Sequence, residues 1–307
     1  MVANREMKGF LEAMKSMSVP DFQDIEPEQL RKMMEEARYP KEVEDVKETV
    51  DMTVHHHGVD IPVRLYVPER PGHGLIIYLH GGGFVFGSIR TVDALCRKIA
   101  NLSGQKVISV EYRLAPEHKF PAAVDDAYES VLWAFENSRK LGVDSASICV
   151  AGDSAGGNLA VVSALRLKDN SQRLPKLVVM FYPTVGPDSV SESHREYGED
   201  FFLRAKDMQF FGRAYLNSPE DALNPYFAPI LHPNLSGLPE TIIVTAENDP
   251  LRDQAETFAW KLDSMNVPVT CVRANGMIHG FENFFSLSRA AGNVVTMIWK
   301  LVGHILH

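Results

Sequence analysis

The chain has 307 residues, 45% of them hydrophobic and 23% charged, with a net charge of −9 at neutral pH. That is enough for one large α/β core plus a small accessory part, and the acidity argues against nucleic acid or an anionic membrane as partner. Cys96, Cys149 and Cys271 are odd in number and widely spaced, so they read as small buried hydrophobes in a reducing compartment rather than a disulfide frame or metal cluster. No apolar run approaches the roughly 18–20 residues of a membrane span. The first eight residues carry charges where a signal peptide needs its apolar stretch, and a cytoplasmic protein without a membrane span is expected.

Residues 5–17 place Met7, Phe10, Leu11, Met14 and Met17 at helical spacing. Leu30, Met33, Met34 and Ala37 do the same after Pro27, which suits a helix's first turn. Two amphipathic helices ahead of the first strand need a surface to cover, whether the core or an active site. Residues 49–67 read as two strands, around Val50–Val54 and Ile61–Val67, joined at Gly58-Val59-Asp60. His55, His56 and His57 invite a metal reading, but successive strand residues point to opposite faces, and no acidic or cysteine residue adjoins them in sequence. A solvated strand end with no metal is expected.

Strand and helix then alternate: Leu75–Leu79, a helix near 91–103, Val107–Val110, a helix near 121–140, Ile148–Ala151, a helix near 154–168, and Leu177–Phe181. Such alternation predicts a mostly parallel sheet covered by helices on both faces, with ligands gathering at the carboxyl ends of its strands. Residues 184–218 interrupt the pattern with charged turns and an amphipathic run from Ala205 to Tyr215. The sheet resumes at Thr241–Thr245, followed by a helix near 251–264, a strand at Val269–Val272 and a last helix at about 290–304.

Two glycine motifs stand at predicted strand ends. Gly152-Asp153-Ser154-Ala155-Gly156-Gly157-Asn158 lies between a strand-like run and a helix-forming one, the context in which Gly-x-Ser-x-Gly makes a nucleophile elbow. By itself it reads equally as a glycine-rich turn with an N-capping serine. His80-Gly81-Gly82-Gly83-Phe84 follows the Leu75–Leu79 run, and its glycines expose backbone N–H groups suited to negative charge developing on a carbonyl oxygen. Together the two motifs point to acyl transfer. The sequence resembles the hormone-sensitive-lipase-like branch of the α/β-hydrolase esterases in His-Gly-Gly-Gly-Phe, in Gly-Asp-Ser-Ala-Gly-Gly and in the segment from Glu111 to Ala122, the likeness running from about residue 50 to the end.

The resemblance implies an α/β-hydrolase fold, with a mostly parallel sheet of about eight strands and a helical cap. Residues 1–45 and 184–218 would form the cap, and 46–183 and 219–307 the catalytic core. In this fold the nucleophile is followed along the chain by an acid and then a histidine. His304 and His307 end the terminal helix, whereas His279 follows the last strand, where the base of Ser154 is required. Residue chemistry leaves Glu247, Asp249 and Asp253 as candidate acids; the likeness of Asp249-Pro250-Leu251-Arg252-Asp253 to the family's segment selects Asp249. Gly82 and Gly83 enter the oxyanion hole by resemblance, and Ala155 because the residue after the nucleophile contributes its N–H. His80 is expected to anchor the glycine loop, with Asp153 and Asn158 as elbow scaffolding. The expected activity is serine carboxylesterase without a cofactor, acting on small short- to medium-chain acyl esters. A lipase, amidase or deacetylase would use the same residues. A binding-only role, as in the gibberellin receptors that resemble this family without its histidine, is disfavoured by His279. The resemblance also implies a homodimer paired through the last strand.

Overall fold

A computed structural model describes residues 4–16, 21–37, 40, 43–199 and 201–307. Two helices come first, α1 (Arg5–Ser16) and α2 (Pro27–Ala37), at the expected stretches. Met17, expected to extend the first of them, lies outside the described residues.

The hairpin β1 (Glu48–His56) and β2 (Val59–Val67) turns one step earlier than predicted, because His56 pairs with Val59 and leaves only His57 and Gly58 between the strands. Both have positive φ, +43° and +84°, the requirement of a two-residue turn that follows the strand twist. The alternation argument for the histidine run therefore fails at His57, which has left the strand.

The remaining core alternates β3 (Leu75–Leu79), α3 (Asp93–Ser103), β4 (Lys106–Val110), α4 (Ala122–Glu136), the short α5 (Ser138–Leu141), β5 (Ile148–Asp153), α6 (Ala155–Asp169) and β6 (Leu177–Phe181). Two helices follow, α7 (Glu192–Tyr197), which the charged sequence had concealed, and α8 (Ala205–Tyr215). The chain closes with β7 (Glu240–Asn248), α9 (Arg252–Ser264), β8 (Val269–Ile278) and α10 (Arg289–Leu306). These form the predicted α/β-hydrolase fold: one eight-stranded sheet ordered β1-β2-β4-β3-β5-β6-β7-β8, antiparallel at β1–β2 and β2–β4 and parallel elsewhere.

Period-two alternation sorts the side chains. From β3, Leu75, Ile77 and Leu79 join the layer containing α4, α6 and α9, while Ile76 and Tyr78 join the layer containing α3 and α10. All five are fully buried. The strand order also fixes where a ligand can enter. The chain leaves β3 toward one edge and β5 toward the other, so the loops beyond the carboxyl ends of these neighbours diverge and leave a crevice. Leu79 and Gly152 are register partners there, which brings the glycine loop and the serine elbow to the two sides of one crevice.

Candidate active site

Ser154 stands between the end of β5 and the first residue of α6, with φ +53° and ψ −116°. A non-glycine residue in such a conformation costs about 1–3 kcal/mol and persists only where its surroundings enforce it. Here its N–H donates to Phe181 O (2.8 Å), and the chain must turn back at once into α6. Gly156 allows this: a Cβ at that position would stand 1.9 Å from the carbonyl oxygen of Leu79.

His279 follows β8, which continues to Ile278, beyond the strand predicted at Val269–Val272. Its imidazole is buried and faces both predicted partners. Nε2 lies 3.0 Å from Ser154 Oγ, and Nδ1 lies 2.8 Å from Asp249 Oδ2. Tyr182, itself at φ +35°, packs its ring against the imidazole with centroids 4.8 Å apart. Asp249 has no solvent exposure. Its second oxygen, Oδ1, accepts from Leu251 N (2.8 Å), so it serves the turn into α9 as well.

The rival acids lie elsewhere in the hydrogen-bond network. Glu247 Oε2 accepts from Gly276 N (2.6 Å) and braces β8. Asp253 accepts from Ser193 N (2.8 Å) and ties α7 to the start of α9. His304 is exposed on α10 and His307 is exposed just past its end.

Beside the serine, Gly82 and Gly83 have φ of +121° and +60°. Among the described residues, the N–H groups of Gly82, Gly83 and Ala155 have no backbone or side-chain acceptor. Ala155 opens the fifteen-residue α6, whose N-terminal amides favour negative charge. The glycine loop is held on several sides. Gly81 N donates to Asp153 Oδ1 (2.7 Å), and His80 O accepts from Tyr112 OH (2.7 Å). Burial lowers the pKa of His80, and Nδ1 of its ring lies 2.8 Å from Gly81 O, so it stands as a neutral brace.

Sequence reasoning missed what lies beneath. Tyr78 OH is 3.0 Å from Asp153 Oδ1 and 3.0 Å from Glu282 Oε2, and Glu282 Oε1 accepts from Trp299 Nε1 (2.9 Å). The phenol has one proton and can donate to only one carboxyl. Burial, and then the neighbouring Asp153, push the Glu282 carboxyl well above its ordinary range. Burial raises the Asp153 carboxyl as well, but Asp153 also accepts from Gly81 N and Asn283 Nδ2, so a proton on Glu282 would let it donate to Tyr78 and Tyr78 donate to Asp153. A tyrosine inside the otherwise apolar run Leu75–Leu79 was the available signal.

Above the loop sits an aromatic cover. The Phe211 ring of α8 lies directly over Gly83, where a Cβ would stand 2.3 Å from Phe211 Cγ. Phe22 and Phe86 pack on Phe211 with centroids 5.9 and 5.7 Å away. Tyr215, also on α8, stacks on Phe84 at 4.0 Å. From α2, Arg31 donates to Val85 O (2.9 Å) and Ala115 O (2.8 Å), and it pairs with Glu117 (2.6 Å).

This fold and this juxtaposition of serine, imidazole and carboxylate define an α/β hydrolase. Residues 76–283 match the family described as having the alpha/beta hydrolase fold, and the chain belongs to that family, in its hormone-sensitive-lipase-like branch. It is 37% identical to an arylesterase of Saccharolobus solfataricus over 98% of both chains, and 36% identical to an ethyl acetate hydrolase of Pseudomonas putida over 78% of this chain and 77% of that one. A solved hyperthermophilic esterase from Pyrobaculum calidifontis superposes with a TM-score of 0.93 at 39% identity, covering 99% of each chain.

Proposed function

We propose that Ser154, His279 and Asp249 carry out two-step acyl transfer in this protein, which is a carboxylesterase. Ser154 Oγ attacks the ester carbonyl as His279 Nε2 removes its proton. Asp249 fixes the tautomer by accepting from Nδ1–H and stabilises the imidazolium. The N–H groups of Gly82, Gly83 and Ala155 receive the oxyanion. His279 then protonates the departing alcohol, and water, deprotonated by the same imidazole, releases the acid and restores Ser154. The continuous relay of 3.0 Å and 2.8 Å through one buried imidazole carries this reading.

We assign residues 1–45 and 184–218 to a cap over this site and 46–183 with 219–307 to the catalytic core. The rings of Phe22 and Phe211 beside the glycine loop support that division. The aromatic rings of Phe22, Phe86 and Phe211 beside the glycine loop support short to medium acyl groups, the substrate class we assign. No helix among the described residues is long and apolar enough to cross a membrane. Cys96 and Cys149 are buried as expected and Cys271 is exposed against expectation; that all three are free supports a reducing, cytoplasmic setting. A homodimer through β8, the sheet's outer strand, is supported by Trp260 of the neighbouring α9, which is 80% exposed. Turnover of p-nitrophenyl esters from acetyl to palmitoyl, compared between the parent and Ser154→Ala, tests the assignment: activity confined to the parent and highest below octanoyl is expected, and an active Ser154→Ala contradicts it.

A further inference from the structure

In the histidine run at the β1–β2 turn, His55 and His57 are exposed, as a solvated strand end requires, but His56 is not. His56 is buried, and both its ring nitrogens face carboxylates: Nδ1 lies 2.5 Å from Glu129 Oε2 and Nε2 lies 3.1 Å from Glu136 Oε2. Because His57 has positive φ, its ring turns back beside that of His56, with centroids 4.0 Å apart. His57 Nδ1 then lies 3.0 Å from the same Glu129 oxygen. The acidic partners absent from the neighbouring sequence come from α4, more than seventy positions away.

We propose that His56 Nδ1, His57 Nδ1 and Glu129 Oε2 bind a divalent first-row transition ion, with Glu136 orienting His56. The three donor atoms lie within 4.8 Å of one another. Placing an ion among them at bond lengths of about 2.0–2.2 Å requires donor separations of roughly 3.3 Å, a small spreading of the pairs that now stand at 2.5 and 3.0 Å. Two imidazoles and a carboxylate suit zinc or ferrous ions rather than magnesium or calcium.

Glu136 supplies a separate reason. A neutral imidazole has one N–H and one lone pair, so without an ion one nitrogen of His56 would aim its lone pair at a carboxylate oxygen. With the ion on Nδ1, the Nε2–H donates to Glu136, the outer carboxylate that metal-bound histidines characteristically have. A doubly protonated His56 would satisfy the same contacts with no ion, and this is the alternative to be separated. The site joins the β1–β2 turn to α4 four strands from β5, about 19 Å at the usual strand spacing. It is therefore a structural clamp, apart from Ser154.

The test uses the full chain without an affinity tag, stripped with EDTA and desalted, and titrated calorimetrically with zinc chloride or, anaerobically, ferrous ion. One ion per chain is expected from at least one of these salts, with no response to magnesium. The melting temperature should rise with the concentration of the ion that binds. Glu136→Gln should weaken binding about 10–100-fold. The double variant His57→Asn with Glu129→Gln should abolish it, while His55→Ala, which removes an exposed side chain paired with Asp60, should leave it unchanged. All three variants should keep the parent's ester turnover, which also confirms that they fold. No binding of either ion to the parent, or undiminished binding by the double variant, would overturn the proposal.

Discussion

Asp153 Oδ1 accepts a 2.7 Å hydrogen bond from the N–H of Gly81. The residue immediately before the serine thereby holds the loop that faces the serine, and the two glycine motifs are one mechanical unit. Asp153→Ala leaves Gly81 N–H and Asn283 Nδ2 without their acceptor. Since misplacement by about 1 Å can cost roughly 100-fold in rate, kcat should fall 10- to 100-fold with KM changed much less. Steady-state kinetics on a butyryl ester, with circular dichroism to confirm folding, check this.

Glu282 makes a second prediction with a definite sign. Its carboxyl is raised well above the ordinary 4.5 by burial, so between that value and its folded-state pKa the native protein holds a proton that the unfolded chain has lost. Stability must then fall as pH rises through that window. Glu282→Gln mimics the protonated acid, donating to Tyr78 and accepting from Trp299. It should retain activity, and its melting temperature relative to the parent's should rise from pH 5 to pH 8. A constant difference between the two would mean that Glu282 is ionised in the native protein.

The glycines separate into those that need space and those that do not. Gly156→Ala drives a Cβ into the Leu79 carbonyl at 1.9 Å and should destabilise by about 4 kcal/mol or more. Gly212, inside α8, has no neighbouring atom within 4 Å of where a Cβ would stand, so Gly212→Ala should stabilise by about 0.5–1 kcal/mol through helix propensity. Chemical denaturation of the two variants distinguishes these cases.

Phe211→Ala removes the ring above Gly83. The optimum along the p-nitrophenyl ester series should shift toward longer acyl chains, each additional buried methylene contributing roughly 0.8 kcal/mol. An unchanged profile would place the acyl group elsewhere.

The core was legible because apolar runs and glycine turns are local signals. Leu75–Leu79, Leu177–Phe181 and the Ala205–Tyr215 helix fall where periodicity put them. Ser154 and His279 were named from motif and chain order and Asp249 from its segment's likeness to the family's, and the three meet in space. Less legible were features made by long-range pairing. The carboxyls facing His56 and His57 come from another element, and the turn at His57 depends on a positive φ that residue type did not announce. Asp153 was placed as scaffolding, but nothing near it in sequence specified Gly81, Tyr78 and Asn283 as its partners.

The central claim, that Ser154 is the acyl-accepting nucleophile, is tested most directly by mass spectrometry of the intact protein and its peptides after reaction with diethyl p-nitrophenyl phosphate. One diethylphosphoryl group on the peptide containing Ser154, loss of ester turnover in step with labelling, and no label on Ser154→Ala are predicted. Full loss of turnover with the label on another residue, or undiminished turnover with Ser154 fully labelled, would contradict it.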